Sequence, residues 1–226
     1  MDQTFIPTVN YQKCVRVKDE QLNPDTIPGI SIFLGRSGRG KSTACKRIAT
    51  LDPRVVLVSY AGWLSHTGLI RELAFAVGGA RPKSAHSCFE LLERGLAESR
   101  RILFIDESDR MSLKCLNVLR DIHDRTAVPL VLIGEEVLHG RLCLERRLIS
   151  RICHEIIFEE VAVPDVAMFY QRALDLQVST KMASCLARHA QGDFRMVVRD
   201  AQRIERVMRT SSLTSITDDL VEEVCR

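Results

Sequence analysis

The sequence predicts an α/β protein, a doubly wound five-stranded parallel sheet followed by a small all-helical domain. Three observations carry this. Short apolar runs alternate with longer amphipathic stretches through the first two thirds of the chain, the pattern of buried parallel strands joined by crossover helices. Pro164 then interrupts that pattern, and every later stretch has helical spacing with no strand-like run. Finally, 226 residues suffice for one sizeable core plus a smaller unit.

The strands are ISIFL (30–34), VVLVS (55–59), RILFI (101–105), PLVLI (129–133) and HEIIF (154–158). Helical patterns over 41–50, 67–78, 84–99, 112–124 and 136–150 are each long enough for a parallel crossover. Beyond Pro164, helices are predicted over about 165–175, 179–191, 194–210 and 216–226. Asp193 is a fitting N-cap for the third of these, and Thr217 or Ser215 for the last. Residues 1–29 hold Pro7, Pro24, Pro28 and Gly29 with little periodicity, which predicts an irregular lead-in. The expected division is a core over 1–160 and a helical lid over 161–226.

Composition removes several classes of function. The longest apolar stretches fall far short of the ~20 residues that cross a bilayer, so no membrane partner is expected. The start MDQTFIPTVN lacks the charged and apolar regions of an export signal. Eight cysteines without a C-x-x-C pair, set in apolar patterns, read as reduced core thiols and a cytoplasmic location. Cys143, Cys153 and His154 lack the second close pair that a tetrahedral zinc site needs. A net charge of +3 does not by itself mark a nucleic-acid binder, so the placement of the charges matters more.

The segment GRSGRGKS, Gly35 to Ser42, meets the phosphate-loop pattern G-x-x-x-x-G-K-[ST] and lies between a strand and a helix, where the mechanism needs it. Backbone amides must wrap phosphate oxygens, which explains glycine at Gly35, Gly38 and Gly40. Together with Arg36, Ser37, Arg39 and Thr43 this segment is the candidate ATP-binding loop. Lys41 would pair with the β and γ phosphates, and Ser42 would offer its hydroxyl to Mg2+. Arg36 and Arg39 either add positive potential near the phosphates or face solvent.

ILFI followed by Asp106 and Glu107 puts two carboxylates at the C-terminal end of a central strand, the rim where doubly wound sheets bind ligands. Asp106 would hold Mg2+ through its water shell, and Glu107 would polarise the attacking water. The stretch SDRM through Arg110 begins a short loop, and its role is not readable from sequence.

The order of these features resembles the AAA+ ATPases over roughly residues 28–210: phosphate loop, strand-end acid pair, a fourth strand ending in Gly134, an arginine-rich helix, then a helical appendix containing Gly192-Asp193-Phe194-Arg195. VVLVSYAGWLSHTGLIRELAFAVG, ILFIDESDRM and VPLVLIGEEVLHGRL resemble the branch that holds transposition regulators of the TnsC and MuB type, with related secretion and phage ATPases. The resemblance implies that Arg195 is a sensor arginine reaching the γ phosphate. It also places Glu135 where relatives carry a polar sensor, often Asn or Thr, a departure that puts ordinary hydrolysis rates in doubt. Relatives complete each site with an arginine from the neighbouring subunit, near Arg146, Arg147 and Arg151. Arg147 and Arg151 are the candidates, and sequence does not choose between them.

By the same resemblance, the expected partners are double-stranded DNA, other copies of this chain in a ring or helical filament, and a transposase. DNA would meet the region after the second strand, including Ser65 and His66, and the turn with Arg81 and Lys83. A separate N-terminal DNA-binding domain of the kind some relatives carry is not expected within the 29-residue lead-in. Residues 181–210 carry seven basic residues against three acids, and Arg195, Arg199, Arg203 and Arg206 share one helical face. A solvated face and a phosphate-tracking one explain that arrangement equally well. With one Trp and three Tyr there is no platform for stacking single-stranded bases, which favours duplex. A replication-type helicase loader, or a nucleotide-switched signalling ATPase without nucleic acid, remain open alternatives.

Overall fold

A computed structural model describes residues 4–97, 99–213 and 215–225. The chain divides into two compact units. One comprises Asn10–Arg36 and Lys41–Phe158; the other combines the start of the chain through Val9, the short stretch Ser37–Gly40, and everything from Glu159 onward. The tip of the phosphate loop thus groups with the helical unit, a division that contiguous domains over 1–160 and 161–226 do not capture.

In the sheet unit, β1 (Ile30–Leu34), β2 (Val55–Ser59), β3 (Ile102–Asp106), β4 (Leu130–Gly134) and β5 (Ile152–Ile157) form one sheet in the order β2-β3-β4-β1-β5. Every pairing is parallel. The continuous apolar runs have the cause expected of them, because β1, β3 and β4 are buried along their whole length.

Alternate residues of the strands feed two cores. Ile30, Ile32, Leu103, Ile105, Leu130 and Leu132 point to one face, where α3 (His66–Gly78), α4 (Ala85–Ala97) and α5 (Leu113–Thr126) pack through Leu73, Leu92 and Leu119. Phe33, Phe104, Val131 and Ile133 point to the other, against Ala44, Cys45 and Ile48 of α2 (Lys41–Leu51).

That second face corrects the expected irregular lead-in, for Val9–Leu22 is a helix, α1, whose Cys14, Val17 and Leu22 cover the sheet beside α2. Its inward row also includes Lys18 and Gln21, polar residues that hide the 3.6-residue period. Each is satisfied. Lys18 Nζ meets Asp52 Oδ2 at 2.9 Å, and the Gln21 amide donates to Cys153 Sγ at 2.8 Å while its oxygen accepts from Gly29 N at 3.1 Å.

The expected helix over 136–150 is broken into α6 (Val137–Cys143) and α7 (Arg146–Ile149). Leu142 and Leu148 are both buried, yet six residues apart on one straight helix they would point about 120° apart. A kink at Glu145, whose backbone leaves the helical region at φ −111°, ψ 87°, lets both reach the core. The cysteines divide too: all eight are free, Cys14, Cys45, Cys88 and Cys115 are buried, and Cys143 and Cys153 are exposed, contrary to the core pattern expected of them.

The helical unit consists of α8 (Val163–Leu174), α9 (Thr180–Ala190), α10 (Phe194–Thr210) and α11 (Asp218–Val224) around Val166, Phe169, Leu186, Val197, Ile204 and Leu220, joined by Ile6. Thr217 rather than Ser215 caps the last helix, accepting from Leu220 N at 3.3 Å.

Candidate nucleotide site

Strand β1 ends at Leu34, and the chain must turn at once to start α2. Gly35 makes room for that turn inside the sheet unit, since a Cβ there would lie 2.8 Å from the Phe158 Cβ and 3.0 Å from its carbonyl oxygen. Arg36 is exposed beyond it. On the far side of the loop Lys41, Ser42 and Thr43 open the first turn of α2, where unpaired amides favour anions.

The Lys41 ammonium donates to the Gly35 carbonyl and, at 2.9 Å, to that of Arg36. Burial lowers its pKa from the ordinary lysine value, against the opposing pull of Glu135, Asp106, Asp109 and Glu107. Those four carboxylates come from the ends of β3 and β4 and the segment after β3, so the sheet gathers Lys41 and four acids at the C-terminal rim of its central strands.

Each acid is held differently. Asp106, the last residue of β3, is 4% exposed and accepts from Glu107 N at 2.9 Å. Glu107 sits in the left-handed region at φ 60°, ψ 30°, a conformation uncommon for a side-chain-bearing residue and frequent at functional sites. Its carboxylate is exposed and lies 3.5 Å from Arg110 Nη1. Asp109, in the 3-10 turn Ser108–Arg110, accepts from Glu135 N at 3.3 Å. Gly134 permits that approach, as a Cβ there would lie 2.6 Å from Asp109 Oδ1. Arg141 of α6 locks the turn by donating to the carbonyls of Asp109 and Met111. Asp109, Arg110 and Arg141 escaped the sequence reading, and the one available signal was the acid three residues after Asp106.

Within the helical unit, Ser37–Gly40 meets the start of α10. Gly38 has φ +82°, its carbonyl accepts from Phe194 N at 3.0 Å, and a Cβ on it would fall 2.1 Å from the Asp193 carboxylate. Only glycine fits there. Gly40, at φ +86°, has open space around it, so its requirement is conformational. Arg195 Nη1 donates to Ser37 Oγ at 3.1 Å. Arg39 is not solvated: its side chain is 6% exposed, pairs with Glu160 at 2.9 Å, and keeps Nη1 buried without a partner among the described residues.

The remaining candidates separate by their partners. Arg151 is committed within the chain, gripping Asp124 through Nε at 2.5 Å and Nη2 at 2.7 Å. Arg147 is exposed, with no side-chain partner among the described residues. Ser65 caps α3, accepting from Gly68 N at 3.2 Å, and His66 is exposed beside it. Arg81 pairs with Glu72 at 2.9 Å and lies over the Phe75 ring, while the Lys83 side chain is exposed. In the turn before α3, pinned by the Tyr60 hydroxyl on the Leu64 carbonyl at 2.7 Å, Trp63 stands 84% exposed.

A family model described as an AAA domain matches residues 26–142, from the approach to β1 through α6. The chain belongs to the AAA family. A curated relative of this AAA protein, the Mu-like prophage FluMu DNA transposition protein B of Haemophilus influenzae, is 26% identical over 115 residues. That match covers 50% of this chain, which spans only 40% of the relative's length. The likeness bears out the resemblance to the MuB-type branch.

Among solved structures, the Aeropyrum pernix ORC2 protein in its ADPNP–ADP complexes is similar with a TM-score of 0.70 at 14% identity, covering 99% of this chain and 68% of that one. The Thermotoga maritima RuvB Holliday junction branch migration motor follows at 0.65 and 20%, with 95% and 67% covered. The Aeropyrum pernix ORC1 protein in complex with DNA gives 0.67 and 20%, with 99% and 65% covered. At these identities the likeness establishes the fold, a parallel AAA+ sheet with helical elements.

The AAA family implies a nucleoside triphosphate with Mg2+, and the residues present fit both. The loop supplies glycines with positive φ and a lysine at its end, and Ser42 with Asp106 supplies oxygen donors of the kind Mg2+ takes. Among the described residues no group of three or more His, Cys, Asp and Glu could hold a metal unaided. Mg2+ does not need one, because it is usually held by one or two carboxylates plus substrate phosphates.

Proposed function

We propose that this AAA protein is an ATP hydrolase that assembles on double-stranded DNA and regulates a transposase by presenting it with target DNA. The observation that carries the chemistry is the placing of Asp106, Glu107, Asp109 and Glu135 at the C-terminal ends of the adjacent strands β3 and β4, next to β1 and the phosphate loop that leads from it to Lys41. The similarity to a DNA transposition protein supports the biological setting.

Bound ATP with Mg2+ supplies the transferable phosphoryl group and the local positive charge. Lys41 donates its ammonium protons to phosphate oxygens in place of the Gly35 and Arg36 carbonyls. Ser42 would hold Mg2+ through its hydroxyl, and Asp106 would hold it through the metal's water shell. Glu107, whose carboxylate is exposed just beyond the end of β3, takes a proton from the attacking water. Arg195 stands over Ser37 of the loop and acts as the sensor of the terminal phosphate. Glu135 occupies the polar-sensor position as an acid, which slows turnover by repelling charge that develops on the phosphoryl group.

Arg147 is the arginine that completes a neighbour's site, because Arg151 is already spent on Asp124. DNA lies against His66, Arg81 and Lys83, gripped by its backbone, with Ser65 holding the turn as a helix cap. Among the described residues no helix is long and apolar enough to cross a membrane.

Electron microscopy of the purified protein with duplex DNA tests the reading. Rings or filaments are expected with ATP or a non-hydrolysable analogue, and neither without nucleotide. A monodisperse monomer in every nucleotide state, together with no salt-sensitive duplex binding, would overturn it.

A further inference from the structure

The nucleotide site leaves unexplained the most strongly two-faced element of the molecule, α10. Its buried row of Val197, Ala201, Ile204 and Met208 packs into the helical core. At 100° per residue Arg195, Arg206, Arg199 and Arg203 fall within about 80° of arc on the opposite side. All four are exposed.

What sets this face apart from an ordinary solvated one is that several arginines without acidic partners among the described residues share it. Some exposed cations of the unit find acids, Lys181 meeting Asp218 at 3.1 Å and Arg209 meeting Glu205 at 2.8 Å, while Arg172 and Arg188 stand singly on other helices with no acidic partner among the described residues. Asp200, the other acid of α10, is fully buried and turned toward His189 at 2.8 Å. Among the described residues Arg203 and Arg206 have no acidic partner, and Arg199 touches only the Met196 sulfur, at 3.7 Å. Three like charges unrelieved along two turns repel one another, a cost that a polyanion removes.

We infer that Arg199, Arg203 and Arg206 form a second contact for the phosphate backbone of duplex DNA, on the helical unit and separate from the loops around His66 and Arg81. The inference rests on the DNA-binding reading given above. From Arg199 to Arg206 the helix rises about 10.5 Å, which matches roughly three base-pair steps along one strand. No base-reading geometry is needed, since guanidinium forks recognise phosphates regardless of sequence. Arg195, at the N-terminal end of the same face, touches Ser37 of the phosphate loop. One rigid helix therefore carries both the loop-contacting arginine and the DNA-contacting ones, which ties the pose of the ridge to the state of the loop.

The test compares the full chain with the variant Arg199→Gln/Arg203→Gln/Arg206→Gln, and with the same positions changed to Lys, by measuring duplex binding across a salt series with a non-hydrolysable ATP analogue. The Gln variant is expected to keep nucleotide affinity and its thermal midpoint. It should lose at least about tenfold in duplex affinity near 0.1 M salt, with the log–log salt slope shallower by about 2 to 3, the counterion release of three phosphate contacts. The Lys variant, which keeps the charge, should retain most of the slope.

Unchanged affinity and slope in the Gln variant, with binding lost in Arg81→Ala/Lys83→Ala, would overturn the ridge while leaving the DNA reading intact. A parent chain that binds no duplex at all would overturn both. Equal losses in the Gln and Lys variants would point to a structural role and also sink the inference.

Discussion

Glu107 combines two properties that pull against each other, the chemical role proposed for it and an awkward backbone. At φ 60° a side-chain-bearing residue costs on the order of 1–2 kcal/mol relative to glycine, and the sheet maintains that conformation immediately after a buried strand. Glu107→Gln should therefore bind nucleotide normally, melt where the parent melts, and lose hydrolysis by about 10²–10⁴-fold. Glu107→Gly should lose hydrolysis equally while gaining about 1 kcal/mol of stability. Phosphate-release assays and thermal denaturation read both, and undiminished turnover in either variant removes Glu107 from the reaction. The same contrast explains what was legible at this scale. Lys41, Asp106 and Glu107 announce themselves by spacing relative to apolar strands, whereas Asp109 and Arg141 act through contacts between segments about 30 residues apart, which no local pattern encodes.

Among the elements, α1 shows how a helix can be structurally necessary and hard to read. The central strands β1, β3 and β4 were legible because burial on both faces forces unbroken apolar runs, but α1 fills part of its inward row with Lys18 and Gln21 and pairs them instead. Asp52 receives both Lys18 and Arg54, and the Arg54 fork, followed against desolvation by Lys18, holds its carboxyl well below the usual range. The sign follows from that depression. Stability from Asp52 is complete above the ordinary carboxylate value near 4 and drains away as pH falls below it toward the folded value. Chemical denaturation from pH 5 to pH 3 should show this loss, and Asp52→Asn should flatten it. Lys18→Met should cost about 1–3 kcal/mol at neutral pH by stripping α1 of its tie to Asp52. A variant as stable as the parent would show that α1 is held by its apolar residues alone.

For the whole molecule, the decisive question is whether one chain contains a complete site. Arg147 is exposed with no side-chain partner among the described residues while Arg151 is clamped, so a site finished by a neighbour predicts complementation. Arg147→Ala should lower turnover by about 10³–10⁵-fold, the usual worth of such an arginine. Lys41→Ala should be equally inactive. Mixed, the two should recover activity that neither has alone, since each supplies what the other lacks, and a mixture as inert as its components would place the completing arginine elsewhere. Sequence could bring the choice no further than a helix end, because what separates Arg147 from Arg151 is Asp124, 27 residues away along the chain. The molecule also carries its own reporter. The chain holds a single tryptophan, and Trp63 stands almost fully in water on a turn fixed by the Tyr60 hydroxyl. Indole emission from the unmodified protein thus monitors one spot beside α3, free of background from other indoles, and any ligand that covers this spot declares itself by a blue shift or quenching.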